Sequence, residues 1–197
     1  MRGMLQQWMG DLSPGVRRFI ATESLFGIGA GIVALILNLH LLALGFDEKE
    51  VGQITSLGAL ATGLLSLPSG LLIRYVGRKT MLVLGMALIA LSLGGFGLAT
   101  THAAVAGCQL LWSIGMTAIV TSEIQLIFEY CKDKREETKA YSLLFAVFTL
   151  FTGIGTLLGG YVPDWIGGRT TGYQYTFYVA GVCLAAGALL RAVLLPP

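Results

Sequence analysis

The sequence predicts an all-α, polytopic membrane fold of six transmembrane helices, and three observations carry that prediction. The chain is apolar. Of its 197 residues, 55% are hydrophobic and 12% charged, where a soluble domain carries about 25% charge; mean hydropathy is +0.76. It contains six apolar runs of bilayer-spanning length. Once those runs are threaded alternately, nearly all of its cations fall on one side.

A bilayer core takes roughly 20 apolar residues of helix, and lipid offers free backbone groups no partner, so only helices cross it open-ended. Residues 1–18 read as an N-terminal segment, of which residues 4–12 (MLQQWMGDL) form a short amphipathic piece along the membrane surface. The apolar run after Arg17 and Arg18 is too long for a signal peptide and lacks a small-residue cleavage site. The transmembrane domain, residues 19–197, begins there. Its first span, 19–44, holds Gly27, Gly29 and Gly31, a small-residue pattern that lets helices approach closely. Asp47, Glu48 and Glu50 then read as a solvated outer loop before the second span, 51–73. The third, 81–99, follows the basic phrase SGLLIRYVGRKT. The fourth, 103–128, carries a polar line. After it KDKREETK, residues 132–139, reads as a loop touching anionic headgroups. The fifth, 141–162, has Gly155 and Gly159 four apart, and the sixth is 175–195. The three cysteines, Cys108, Cys131 and Cys183, lack metal-type spacing and read as small packing residues.

Threading fixes direction. With the N-terminus inside, eleven cations share its side: Arg2, Arg17, Arg18, Arg74, Arg78, Lys79, Lys132, Lys134, Arg135, Lys139 and Arg191. Only Lys49 and Arg169 lie opposite, which completes the thirteen Lys and Arg. The positive-inside rule therefore places both termini in the cytoplasm, and a multi-pass protein of the plasma (inner) membrane is expected.

The basic phrase has an echo 90 residues on, GGYVPDWIGGRT. Gly70 meets Gly160, Gly77 meets Gly167, Thr80 meets Thr170, and Thr62-Gly63 meets Thr152-Gly153. The copies follow the second and fifth spans, so they sit on opposite faces. That is an inverted three-plus-three repeat. Arg74 becomes Asp164 and Arg78 becomes Gly168 on the outward copy, as the charge rule requires. Convergence of two glycine-rich turns is the alternative.

With these residues in place, the chain resembles the N-terminal half of a major facilitator superfamily transporter. The family's loop between its second and third spans runs Gly-x-x-x-Asp-Arg-x-Gly-Arg-Lys/Arg. Here it reads Gly70-Leu-Leu-Ile-Arg74-Tyr75-Val-Gly77-Arg78-Lys79, with Arg74 and Tyr75 replacing the central acid and base. Residues 38–52 (NLHLLALGFDEKEVG) are similar to the end of the family's first span and its outer loop, and GIGTLLGGYVP to its glycine-rich fifth helix. The resemblance implies half of a major facilitator fold and a carrier that alternates access to a central cavity. It implies that the loop (Gly70, Arg74, Gly77, Arg78, Lys79) gates the inner side. The family's acid latches against a helix start in the other half, a role closed to Arg74 because a helix N-terminus repels a cation. Arg78 is left to pair with Glu129 or Glu123. Six spans match one half of the family, so a second six-helix half is expected as partner, and three readings stand: half of a homodimer, one piece of a split transporter, or a truncated product.

Charges inside spans are few. Glu23 and Glu123 read either as proton-coupling or cation-binding carboxylates on a cavity wall, or as interfacial carboxyls paired with Arg17, Arg18 or Arg78. On the fourth span Gln109, Ser113, Thr117, Thr121 and Gln125 recur every four residues. The resemblance carries substrate contact to Gln109, Ser113 and Thr117, and to Asn38 on the first span; hydrogen bonding between helices is the equal alternative. His40 reads as titratable or simply interfacial.

The function expected is transmembrane transport of a small solute, with a non-transporting scaffold as the alternative. No enzyme is expected, since the chain has neither H-E-x-x-H nor G-x-S-x-G. No phosphate-binding loop, cofactor or metal site is legible. A net charge of +2 gives no case for a nucleic-acid partner.

Overall fold

The computed structural model describes residues 12–167 and 169–196. The surface-lying piece expected over residues 4–12 falls, but for Leu12, outside the described residues, as does Gly168. Among the described residues six helices follow in order: α1 Pro14–Ala43, α2 Glu48–Val76, α3 Arg78–Leu98, α4 His102–Glu129, α5 Lys134–Ile166 and α6 Arg169–Leu194. All six are long and apolar enough to cross a membrane.

Several helices outrun their apolar runs, because polar caps lie beyond the lipid-facing stretch. Pro14 opens α1, where its fixed φ suits a helix and its missing N–H is no loss. Asp47 and Glu50 were expected in a solvated loop; instead they form a capping box. The Asp47 carboxylate accepts from the Glu50 backbone N–H at 2.7 Å and Glu50 accepts from Asp47 at 3.0 Å. Residues 132–139 are likewise mostly helix rather than loop. Asp133 caps α5 by accepting from the Glu136 N–H at 2.7 Å, so Lys134 to Lys139 wind its first turns.

The helices are arranged in the spatial order α2, α4, α3, α6, α1, α5, with α1 and α4 barely touching. Exchanging α1 with α4, α2 with α5 and α3 with α6 reproduces the same packing: α1 on α5 becomes α4 on α2, and α1 on α6 becomes α4 on α3. Exchanged helices run in opposite directions, since three spans separate them. This is the inverted three-plus-three repeat in three dimensions. The aligned glycines play matching parts, Gly77 closing α2 at φ +87° and Gly167 closing α5 at φ +132°. These are left-handed conformations that a side chain rarely permits.

Close packing of α1 on α5 rests on glycine. A Cβ at Gly31 would stand 2.1 Å from the Thr152 carbonyl oxygen, and one at Gly155 would stand 2.2 Å from that of Ile28. The common core lies among α1, α3, α4 and α6, with Phe19, Ile36, Met86, Phe96, Ile119 and Phe177 wholly or almost wholly enclosed. The outer helices are different. Only 11% of the most apolar stretch of α2 and 17% of that of α5 is buried, against 39–50% in the other four.

One end of the bundle is basic. There Lys79 donates to the Leu195 carbonyl at 2.7 Å, Arg18 to that of Leu194 at 3.2 Å, and the Tyr130 hydroxyl to that of Pro196 at 2.8 Å. The Glu136 carboxylate accepts from the backbone N–H of Ser13 and, at 2.7 Å, from that of Lys132. These contacts tie the start of α1, the α2–α3 and α4–α5 junctions and the end of α6 into one face.

Candidate functional site

About one to two turns above that face, three charged side chains meet. Glu23 on α1 and Glu123 on α4 converge on Arg191 of α6. The Arg191 guanidinium, fully enclosed, donates through Nη2 to the Glu23 carboxylate, itself 1% exposed. Both Nη atoms lie 3.5 Å from Glu123 Oε1, whose side chain keeps 14% exposure. The remaining donor, Nε–H, reaches Thr22 Oγ1 at 3.2 Å. The rings of Phe19 and Phe26 sit 4.7 and 5.9 Å from the guanidinium carbon, close enough for a cation–π contact.

The cluster borders a cavity of about 270 Å³ between α1, α4 and α5. Its walls are apolar and rich in aromatic rings: Phe26, Met116, Ile119, Phe145 and Phe148, with Glu23 and Glu123 as the charged groups. With both carboxylates ionised, two acids facing one guanidinium carry a net charge of −1. An apolar wall raises the free energy of uncompensated charge by several kcal/mol. One bound proton, or one cationic group, makes the site neutral.

Sequence reasoning assigned Glu23 and Glu123 to spans but offered Arg17, Arg18 and Arg78 as their partners. The partner is Arg191, which the charge count had simply placed at the inner end. A signal was available: Arg191 lies inside an apolar run, at a depth comparable with the two carboxylates, and a buried charge in a span needs a counter-charge.

The four substrate-contact candidates lie elsewhere. Ser113 Oγ donates to Gly58 O on α2 at 3.0 Å and to Gln109 O at 2.9 Å. Thr117 Oγ1 donates to Ser113 O at 2.7 Å, and Thr121 Oγ1 pairs with Ser69 Oγ at 3.0 Å. Gln109 is buried against Gly58. The polar line of α4 is thus the seam along which α2 packs. Asn38 is exposed on α1, about four turns from Glu23. His40 is enclosed, its ring edge-on to Phe177 at 5.2 Å. In the basic loop Arg78 takes Glu129, at 2.7 Å, and adds Gln125 at 3.4 Å.

A family model described as Major Facilitator Superfamily matches residues 19–197, nearly the whole chain. The chain belongs to the major facilitator superfamily. Among curated relatives it is 29% identical over 180 residues to a multi-drug resistance efflux pump PmrA homolog of Lactococcus lactis, covering 87% of this chain and 42% of the relative. It is 24% identical to a chloramphenicol resistance protein of Pseudomonas aeruginosa (81% and 39% covered) and 26% identical to monocarboxylate transporter 9 of Pongo abelii (71% and 25% covered). The chain spans less than half the length of these relatives. It is an integral, multi-pass membrane protein of a superfamily of solute transporters.

Proposed function

We propose that this major facilitator chain acts as one six-helix half of a secondary transporter, moving a small, largely apolar solute by alternating access and exchanging a proton at the Glu23–Arg191–Glu123 cluster. The observation that carries the reading is the cluster's position: its two carboxylates border an aromatic cavity, with the paired guanidinium enclosed behind them. A proton and a solute with a cationic head neutralise the same site, so they compete for it. That competition couples inward proton movement to outward solute movement. Two relatives are named for drug resistance, one of them as an efflux pump, which supports outward movement of a drug-like solute.

The barely buried faces of α2 and α5 support a second six-helix body as partner. Leu60, Leu64 and Leu67 on α2 and Leu150, Leu157 and Trp165 on α5 are 62–80% exposed. Such contiguous apolar surface meets either lipid or a partner helix. The exposed Arg78–Glu129 pair, which ties α3 to α4, serves as a gate on the basic side, the cytoplasmic one under the charge rule.

The test is transport in proteoliposomes, using tetraphenylphosphonium as solute and an internal pH dye for protons. Uptake driven by a pH gradient is expected, lost in Glu123→Gln and Glu23→Gln. Transport that survives both substitutions with unchanged pH dependence removes the coupling role.

A further inference from the structure

A second concavity lies at the basic end. It has a volume of about 700 Å³ and opens between the last turns of α2, the first turn of α3 and the end of α4. Its charged lining is three cations, Arg74, Arg78 and Lys79, against one carboxylate, Glu129. The cations are not equivalent. Arg78 is neutralised by Glu129 at 2.7 Å, and Lys79 is held by the Leu195 carbonyl at 2.7 Å. Arg74 has neither an ion pair nor a hydrogen bond among the described residues. Thr80 and Gln125 add uncharged hydrogen-bonding groups to the lining.

We propose that this pocket binds an anionic phosphate group, with Arg74 as its principal counter-charge and Lys79 as a second donor. Two cations in excess around one concavity repel each other, and a phosphate relieves that repulsion while offering several acceptor oxygens to guanidinium and ammonium donors. The Arg78–Glu129 pair fixes one wall, so the pocket is shaped before the anion arrives. The phosphate has two possible sources. One is the headgroup of an acidic phospholipid, which the pocket meets because the ends of membrane-spanning helices lie at headgroup depth. The other is a soluble phosphate compound. The proposal is independent of the cavity at Glu123.

The test uses the full chain in nanodiscs of phosphatidylcholine with and without phosphatidylglycerol, reading retained lipid by native mass spectrometry. A parallel arm titrates detergent-solubilised protein with inorganic phosphate. Selective retention of phosphatidylglycerol, reduced about fivefold in Arg74→Ala, identifies a lipid site, that being the effect of one basic group on an anionic headgroup. Binding of inorganic phosphate with the same Arg74 dependence, without lipid selectivity, identifies a soluble ligand. Arg74→Lys should retain most of the binding. Arg17→Ala removes an exposed cation of the basic end outside the pocket and should leave it unchanged. Equal binding by wild type and Arg74→Ala, or an equal loss in Arg17→Ala, overturns the proposal.

Discussion

Replacing Arg191 with Met isolates the electrostatics of the buried cluster. The guanidinium and Glu23 are enclosed, at 0% and 1% exposure, so removing the cation strands one fully buried carboxylate and one nearly so. Breaking a buried ion pair from one side costs about 3–5 kcal/mol. The only relief is protonation. For a glutamate of ordinary affinity that costs about 4 kcal/mol per group at pH 7 and about 1 kcal/mol at pH 5. The deficit of Arg191→Met should therefore be about 3–5 kcal/mol at pH 7 and shrink strongly by pH 5. Unfolding by SDS titration in mixed micelles measures it. The triple variant Glu23→Gln, Glu123→Gln, Arg191→Met leaves no orphaned charge and should recover much of the loss at both pH values. A deficit under about 1 kcal/mol at pH 7, or one that does not change with pH, would refute the reasoning, because exposed pairs of the Arg78–Glu129 kind behave that way.

Gly31→Ala should destabilise the bundle by about 1–3 kcal/mol by forcing α1 away from the Thr152 carbonyl. Gly107→Ala, whose Cβ meets open space within α4, should be neutral or stabilising by up to about 1 kcal/mol in the same SDS titration. Glu129→Ala frees Arg78 but should alter unfolding by less than about 1 kcal/mol, since the pair is half exposed; its effect should appear in transport rate. Burial, with Glu136, Glu137 and Asp133 nearby, pushes the Cys131 thiol up to about 11. Both causes disfavour the thiolate, so labelling of Cys131 by N-ethylmaleimide in a Cys108→Ala, Cys183→Ala background should be slow at pH 7. It should still climb about tenfold per pH unit at pH 9–10, where an ordinary thiol has levelled off. Cysteines placed at Lys79 and Lys134 should react with an impermeant maleimide from one side of the membrane, and one at Asp47 from the other.

Much of this protein was legible without coordinates. Six apolar runs, glycines spaced four apart and one-sided cations are properties of the chain against a bilayer, which solvates each span almost independently of its neighbours. The repeat was legible too, because Gly77 and Gly167 mark turns whose positive φ is a local demand. Helix ends were less so. Asp47 and Asp133 look like loop residues until their carboxylates are seen to accept from the first turn.

The sequence by itself determined how many times the chain crosses, how the two triplets relate and which end is basic. Only the tertiary structure decided which charge meets which. Arg191 is 168 residues from Glu23 and 68 from Glu123, and no local pattern encodes that meeting. It follows from α6 packing between α1 and α3, a choice made by shape at glycine-lined contacts. The same packing turned the polar line of α4 toward α2, where its hydroxyls bond helix to helix, and left the carboxylates bordering the aromatic cavity. Spacing along a helix fixes which residues share a face, but what that face meets is set by its neighbours.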